Sequence, residues 1–124
     1  MINLEIVLDI QKELIESFGG IDGVRDINLL ISALNRPISG IGETEFYPST
    51  PQKAAALVES IVQNHPFLDG NKRIGLVLMR LVLMENGLDI NATQDEKFDF
   101  MMSIASSEIN YEEIYSWILN HLSR

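Results

Sequence analysis

A chain of 124 residues, 46% hydrophobic and 22% charged, has the length and usage of one globular domain, able to bury roughly two-thirds of its unfolded surface. Nine Lys and Arg against eighteen Asp and Glu leave a net charge of −9, which opposes nonspecific attraction to nucleic acid or an anionic membrane. The absence of cysteine excludes disulfides and thiolate metal sites, and with neither a charged-then-apolar leader nor an apolar run near the ~18 residues that span a bilayer, a soluble cytoplasmic protein is expected.

The first helix is predicted from Leu4 to Phe18, where Leu4, Val7, Leu8, Leu14, Ile15 and Phe18 follow helical spacing, missing only the turn at Gln11; Gly19-Gly20 stops it. Asp26 can cap a second, whose stripe of Leu29, Leu30, Ala33 and Leu34 ends at Pro37. Pro, Ser, Gly and Thr then dominate as far as Pro48, a loop or short hairpin with Phe46-Tyr47 near its end. Thr50 followed by Pro51 reads as an N-cap with a first-turn proline, opening a third helix that carries Ala54, Leu57, Val58, Ile61 and Val62. A fourth, from near Asn71 to before Gly87, is apolar nearly all round and belongs at the centre of a bundle. Thr93 with Glu96 and Asn110 with Glu113 have capping-box spacing and open a fifth and a sixth. No repeat or internal linker interrupts the chain. The expected fold is an all-α six-helix bundle with a central buried helix and one flap-like loop, a single domain over 1–124.

Between the third and fourth helices stands His65-Pro66-Phe67-Leu68-Asp69-Gly70-Asn71-Lys72-Arg73, a base, a carboxylate, an amide and two cations in the hydrophobic middle of the chain. The first amides of the fourth helix have no intrahelical partners and sit at its positive end, so they favour an anion. Gly70 lets a ligand approach the backbone, and Asn71, Lys72 and Arg73 add donors suited to phosphate oxygens. Asp69 offers a hard oxygen to magnesium already held by phosphates, and His65 can take a proton from a hydroxyl near neutral pH. The alternative is ordinary turn chemistry: Asp-Gly-Asn makes a turn, Asp69 or Asn71 caps the helix, and His65 is a partly buried polar residue. Elsewhere His121 reads as a solvated helix-end residue, Arg80 as snorkelling or paired with an acid, and Trp117 with Tyr111, Tyr115 and Ile118 as packing.

The nine residues from His65 to Arg73 match the signature HxFx(D/E)(A/G)N(K/G)R at every position, and the sequence resembles the Fic/Doc family. Gly19-Gly20, Arg25-Asp26, Ala33-Leu34-Asn35-Arg36-Pro37, Lys53-Ala54-Ala55 and Asn86-Gly87 resemble its death-on-curing branch. The resemblance implies His65 as general base, Asp69 as magnesium ligand, and Gly70, Asn71, Lys72 and Arg73 around the phosphates of ATP. It also implies a flap over residues 37–50 that aligns a target segment by strand-like pairing, with Phe46 and Tyr47 as candidate contacts. Lys72 and Leu76 stand where AMP-transferring members carry Gly and a second Arg, and so resemble Doc toxins, which bind ATP the other way round and pass its terminal phosphate to elongation factor Tu. Ser39 and Glu43 have the spacing of the family's autoinhibitory pattern, but Thr44 breaks it. Control is then expected from a separate antitoxin whose disordered tail folds in a groove. AMP transfer to a protein hydroxyl and a catalytically idle antitoxin-binding module are the other two readings.

Overall fold

The computed structural model describes residues 2–123. Six helices appear in order, α1 (Leu4–Phe18), α2 (Ile27–Asn35), α3 (Thr50–Asn64), α4 (Asn71–Met84), α5 (Gln94–Ala105) and α6 (Tyr111–Asn120). A 3-10 turn (Arg36–Ile38) ends α2 with Pro37 buried, and a minimal antiparallel hairpin follows, β1 (Gly40–Ile41) with β2 (Thr44–Glu45), in the register Gly40 to Glu45 and Ile41 to Thr44. The expected loop is thus a short hairpin with a two-residue Gly42-Glu43 turn, glycine first, as hairpins of that length favour. Among the described residues no helix is long and apolar enough to cross a membrane.

Helix starts follow the sequence closely. Asp26 accepts from Leu29 N, and both Thr93–Glu96 and Asn110–Glu113 close complete capping boxes. At α3 the cap is Ser49 rather than Thr50: Ser49 Oγ accepts from Gln52 N and the Gln52 side chain returns a bond to Ser49 N. Thr50 and Pro51 are then the first helical residues. A glutamine three places on marks Ser49 as the better start, because it satisfies a second amide.

The centre is shared by α3 and α4 rather than held by α4 alone. Helix α3 packs against α2, α4, α5 and α6 and buries every residue from Ala54 to Val58, whereas Leu76, Val77 and Leu81 of α4 are only half-buried. Three alanines carry little apolar bulk, so their weight in the sequence is small, yet their size lets neighbours approach on all sides. The two helices touch at Gly75, where a Cβ would lie 2.6 Å from Val62 Cγ2.

Helix α1 buries Val7 and, at the apparent gap in its stripe, Gln11, while Phe18 and Leu8 reach the surface. Past α4 a second short pair, β3 (Asp89–Ile90) with β4 (Leu122–Ser123), ties the segment before α5 to the end of α6. Two-residue strands leave no periodicity to read. Arg80 donates from Nε and a terminal nitrogen to both carboxylate oxygens of Asp89 (3.0 and 2.9 Å), the pairing expected of it. His121 is not simply solvated: its ring stacks on Trp117 at 3.9 Å, which stacks on Phe100 at 3.8 Å, and its Nε2 lies 3.3 Å from Glu96. Trp117 is packing, as expected.

Candidate active site

Helix α3 stops because His65 turns left-handed, at φ 48° and ψ 58°. A side chain other than glycine pays about 1 kcal/mol or more there, so the surroundings must impose it. They do. The Arg25 guanidinium spans the turn, donating from Nε to His65 O (2.6 Å) and from a terminal nitrogen to Asn64 O (2.7 Å). The backbone N–H groups of Arg25 and Asp26 both donate to Pro66 O, Leu68 N donates to Gly23 O, and Val24 bridges Phe67. The α1–α2 connection therefore forms a rail along which the signature turn is laid, with Phe67 sunk into the core.

From below, Gln11 of α1 reaches up. Its Nε2 donates to Asp69 O at 2.8 Å, while its buried Oε1 has no partner. An orphaned acceptor costs roughly 1–3 kcal/mol. The Asp69 carboxylate is aimed by two backbone bonds, Oδ2 from Ile21 N (3.2 Å) and Oδ1 from Gly70 N (2.8 Å). Gly20 makes room for it, since a Cβ there would sit 2.7 Å from Asp69 Oδ2.

Asn71 has a different place from the one expected. Its buried carboxamide turns back on the loop, Oδ1 accepting from Phe67 N (3.0 Å) and Nδ2 donating to Phe67 O (3.1 Å). What it offers outward is chiefly its backbone N–H. At Gly70 a Cβ would make only ordinary contact with Gln11 and Ile15, and φ +72° itself asks for glycine. It stands at the N-cap of α4 and caps nothing. The first helical bond runs from Ile74 N to Gly70 O, leaving the amides of Asn71, Lys72 and Arg73 without intrahelical acceptors.

Above this platform His65, Asp69, Gly70, Asn71, Lys72 and Arg73 line one cavity of about 310 Å³. Its side chains of His65, Asp69, Lys72 and Arg73 are exposed, and the Arg73 guanidinium rests 4.6 Å from the centre of the Phe18 ring. Three free amides, two cations and a helix's positive end suit a polyanion. A single exposed carboxylate suits magnesium that keeps phosphate and water as its other ligands. No cluster of three or more His, Cys, Asp or Glu able to cage a metal occurs among the described residues.

A sequence model of the Fic/DOC family matches residues 1–83, taking in the whole signature turn and all but the last residue of α4. The chain belongs to the Fic/Doc family. It is also 35% identical over 100 residues to "Toxin Doc" of Mycolicibacterium smegmatis (strain ATCC 700084 / mc(2)155), a match covering 79% of this chain and 77% of that protein.

Two Fic/Doc candidates lie outside the cavity. Phe46 is exposed beside the hairpin, but Tyr47 turns inward: its hydroxyl accepts from Arg36 Nε (3.0 Å) and its ring meets Tyr111 edge-on at 5.3 Å. Arg36 also bonds Glu59 (2.8 Å) and Ser60, and Lys53 bonds Glu45 (2.7 Å), so Tyr47 anchors the base of the hairpin to α3. Gln11 is passed over by motif reading, and Arg25 is noted there only for its likeness to the death-on-curing branch, without its role in holding the turn. Gln11 left a signal, a polar side chain where the apolar stripe of α1 should continue.

Proposed function

We propose that this Fic/Doc chain is a Doc-type toxin of a toxin–antitoxin pair, transferring the terminal phosphate of ATP to a hydroxyl of elongation factor Tu. The observation that carries this reading is the uncapped start of α4, with Lys72, Arg73, His65 and Asp69 gathered in one cavity above it. Likeness to a protein named Toxin Doc supports the toxin role, and Lys72 and Leu76 in place of Gly and Arg support phosphate over AMP transfer. The partner that restrains it would be an antitoxin whose disordered tail folds in a groove of the toxin.

In the reaction the phosphates lie along the free amides of Asn71, Lys72 and Arg73, whose donors need no reorganisation as charge develops. His65, held at the mouth by Arg25, accepts the proton of the attacking hydroxyl. The hydroxyl oxygen bonds to the terminal phosphorus in line as the bond to the bridging oxygen breaks, and ADP leaves. The Asp69 carboxylate would hold magnesium, which would supply neutralisation of the charge on the phosphate oxygens. The Phe46 end of the hairpin is the candidate contact for the target segment.

Incubation with elongation factor Tu and ATP labelled at the terminal or the innermost phosphate tests the reading. Label should pass only from the terminal position, require magnesium and vanish in Asp69→Ala. Transfer from the innermost position would mean AMP transfer instead, and none from either would favour an idle antitoxin-binding module.

A further inference from the structure

Gln11 is 1% exposed, yet the oxygen of its carboxamide has no partner. Turning the amide over is no remedy. Its nitrogen lies 2.8 Å from Asp69 O, so the turned group would set one carbonyl oxygen against another. A methionine or leucine at this position would continue the apolar stripe of α1 and leave no buried acceptor unsatisfied. Packing alone therefore does not account for a glutamine here, and what it adds is the bond to Asp69 O.

Gln11 does not line the phosphate cavity. It lies beneath, its Nε2 3.6 Å from the place a Cβ on Gly70 would take. Among the described residues Asp69 O accepts from no backbone N–H, and Gln11 is the side chain that holds it. In a trans peptide the carbonyl and the N–H that follows point opposite ways. With Asp69 O drawn down to Gln11, the Gly70 N–H points up, where it donates to Asp69 Oδ1 at 2.8 Å. One peptide plane thus joins the buried amide to the carboxylate above it.

That plane needs a lock. Turning it over reverses the sign of Gly70 φ, which stands at +72°, and glycine takes either sign at little cost. In the turned state the Gly70 N–H would leave Oδ1, and the carboxylate would keep only the longer bond, 3.2 Å, from Ile21 N. We infer that Gln11 is a positioning residue, locking the Asp69–Gly70 peptide in the orientation that aims the Asp69 carboxylate into the cavity. The orphaned Oε1 is the stability given up for that lock. The inference rests on the proposed role of Asp69 in holding magnesium. Losing Gln11 should then harm the site and not the fold, the reverse of what a purely structural residue would show.

Gln11→Met, similar in length and without an amide, tests the inference in the whole chain. Its urea midpoint should lie at or above that of wild type, because the orphan is gone. In magnesium-free protein, exchange of the Gly70 amide with solvent should quicken about tenfold, while amides in the middle of α1 and α4 exchange as before. ATP affinity is then measured with magnesium and with EDTA. Magnesium should strengthen wild-type binding about tenfold or more, a coupling of ordinary size between two ligands. Gln11→Met should remove most of that gain, leave the affinity in EDTA unchanged, and add nothing in an Asp69→Ala background. A lowered midpoint, an undisturbed Gly70 amide or an undiminished magnesium gain would overturn the inference. Wild-type ATP binding indifferent to magnesium would overturn the proposed role of Asp69 instead, with the Gly70 exchange and the urea midpoint still deciding whether Gln11 is the lock.

Discussion

The starts of α4 and α6 are built from similar residue types to opposite ends. At α6 the Asn110 side chain accepts from Glu113 N, and the Glu113 side chain returns a bond to Asn110 N, so the helix start is closed by its own residues. At α4 the cap is a glycine with no side chain, and the asparagine beside it spends its amide backward on Phe67. Asn3, Asp26, Ser49 and Thr93 cap the other four starts by accepting from the third helical amide, and Ser49 and Thr93 have the return bond as well. Among the six described helices α4 alone lacks a side-chain cap, so the amide of Arg73 stays open with those of Asn71 and Lys72. A protein whose other helix starts are satisfied locally does not lack capping residues; at α4 the fold places Asp69 one position too early to cap and aims it at the cavity instead.

Substitutions sharpen the contrast, since those at the α4 turn should separate chemistry from folding and those at α6 should affect folding alone. The largest effect is expected at His65. His65→Ala should lower the transfer rate by roughly 10²–10⁴, the usual contribution of a general base, with circular dichroism and the melting transition nearly unchanged because the side chain is exposed. Unfolding of this variant would assign His65 to the scaffold.

Asn71→Ala comes next, and its effect should be on stability. It strips partners from the N–H and C=O of a buried residue, at about 1–3 kcal/mol for each group left unsatisfied, so a loss of about 2–6 kcal/mol is expected in urea unfolding. Asn110→Ala, losing a surface cap, should cost only about 1 kcal/mol and leave nucleotide affinity alone. Equal costs at the two positions would erase the distinction between a turn held from within and a helix merely capped.

The smallest effect belongs to the far end of α4. The Arg80 bond holds the Asp89 carboxyl below its ordinary value near 3.8. Because the folded value is the lower one, the pair stabilises the protein above the unfolded value, and that contribution fades as the pH falls through the folded one. Asp89→Asn should therefore cost about 0–1 kcal/mol at neutral pH, as for a partly exposed pair, and flatten acid denaturation below about pH 4. Unchanged acid unfolding would remove the pair from the account.

Much of this was legible in the sequence, for physical reasons that differ by region. The six helices were, because periodic apolar stripes and caps are local. Gathering of His65, Asp69, Lys72 and Arg73 was, because they lie within nine residues of one turn. What could not be read is what holds that turn. Arg25 and Gln11 lie 40 and 58 residues away from the atoms they bond, and their roles exist only once α1 and α2 have packed. Tyr47 misled for the same reason: an aromatic in a polar loop looks available until Arg36 is seen to claim it. Asn71 misled more subtly, since the same amide can serve a ligand or a backbone, and only the positions of Phe67 N and O decide.

The central claim is that the free amides of α4 hold the phosphates. Adding magnesium-ATP to isotope-labelled protein and following backbone amide resonances tests it directly. The signals of Asn71, Lys72 and Arg73 should shift strongly and saturably, while those of Gln52 at the start of α3 and Glu113 at the start of α6, already bonded to their caps, stay in place. Saturable binding that leaves residues 71–73 unmoved, or moves all these helix starts alike, would contradict it.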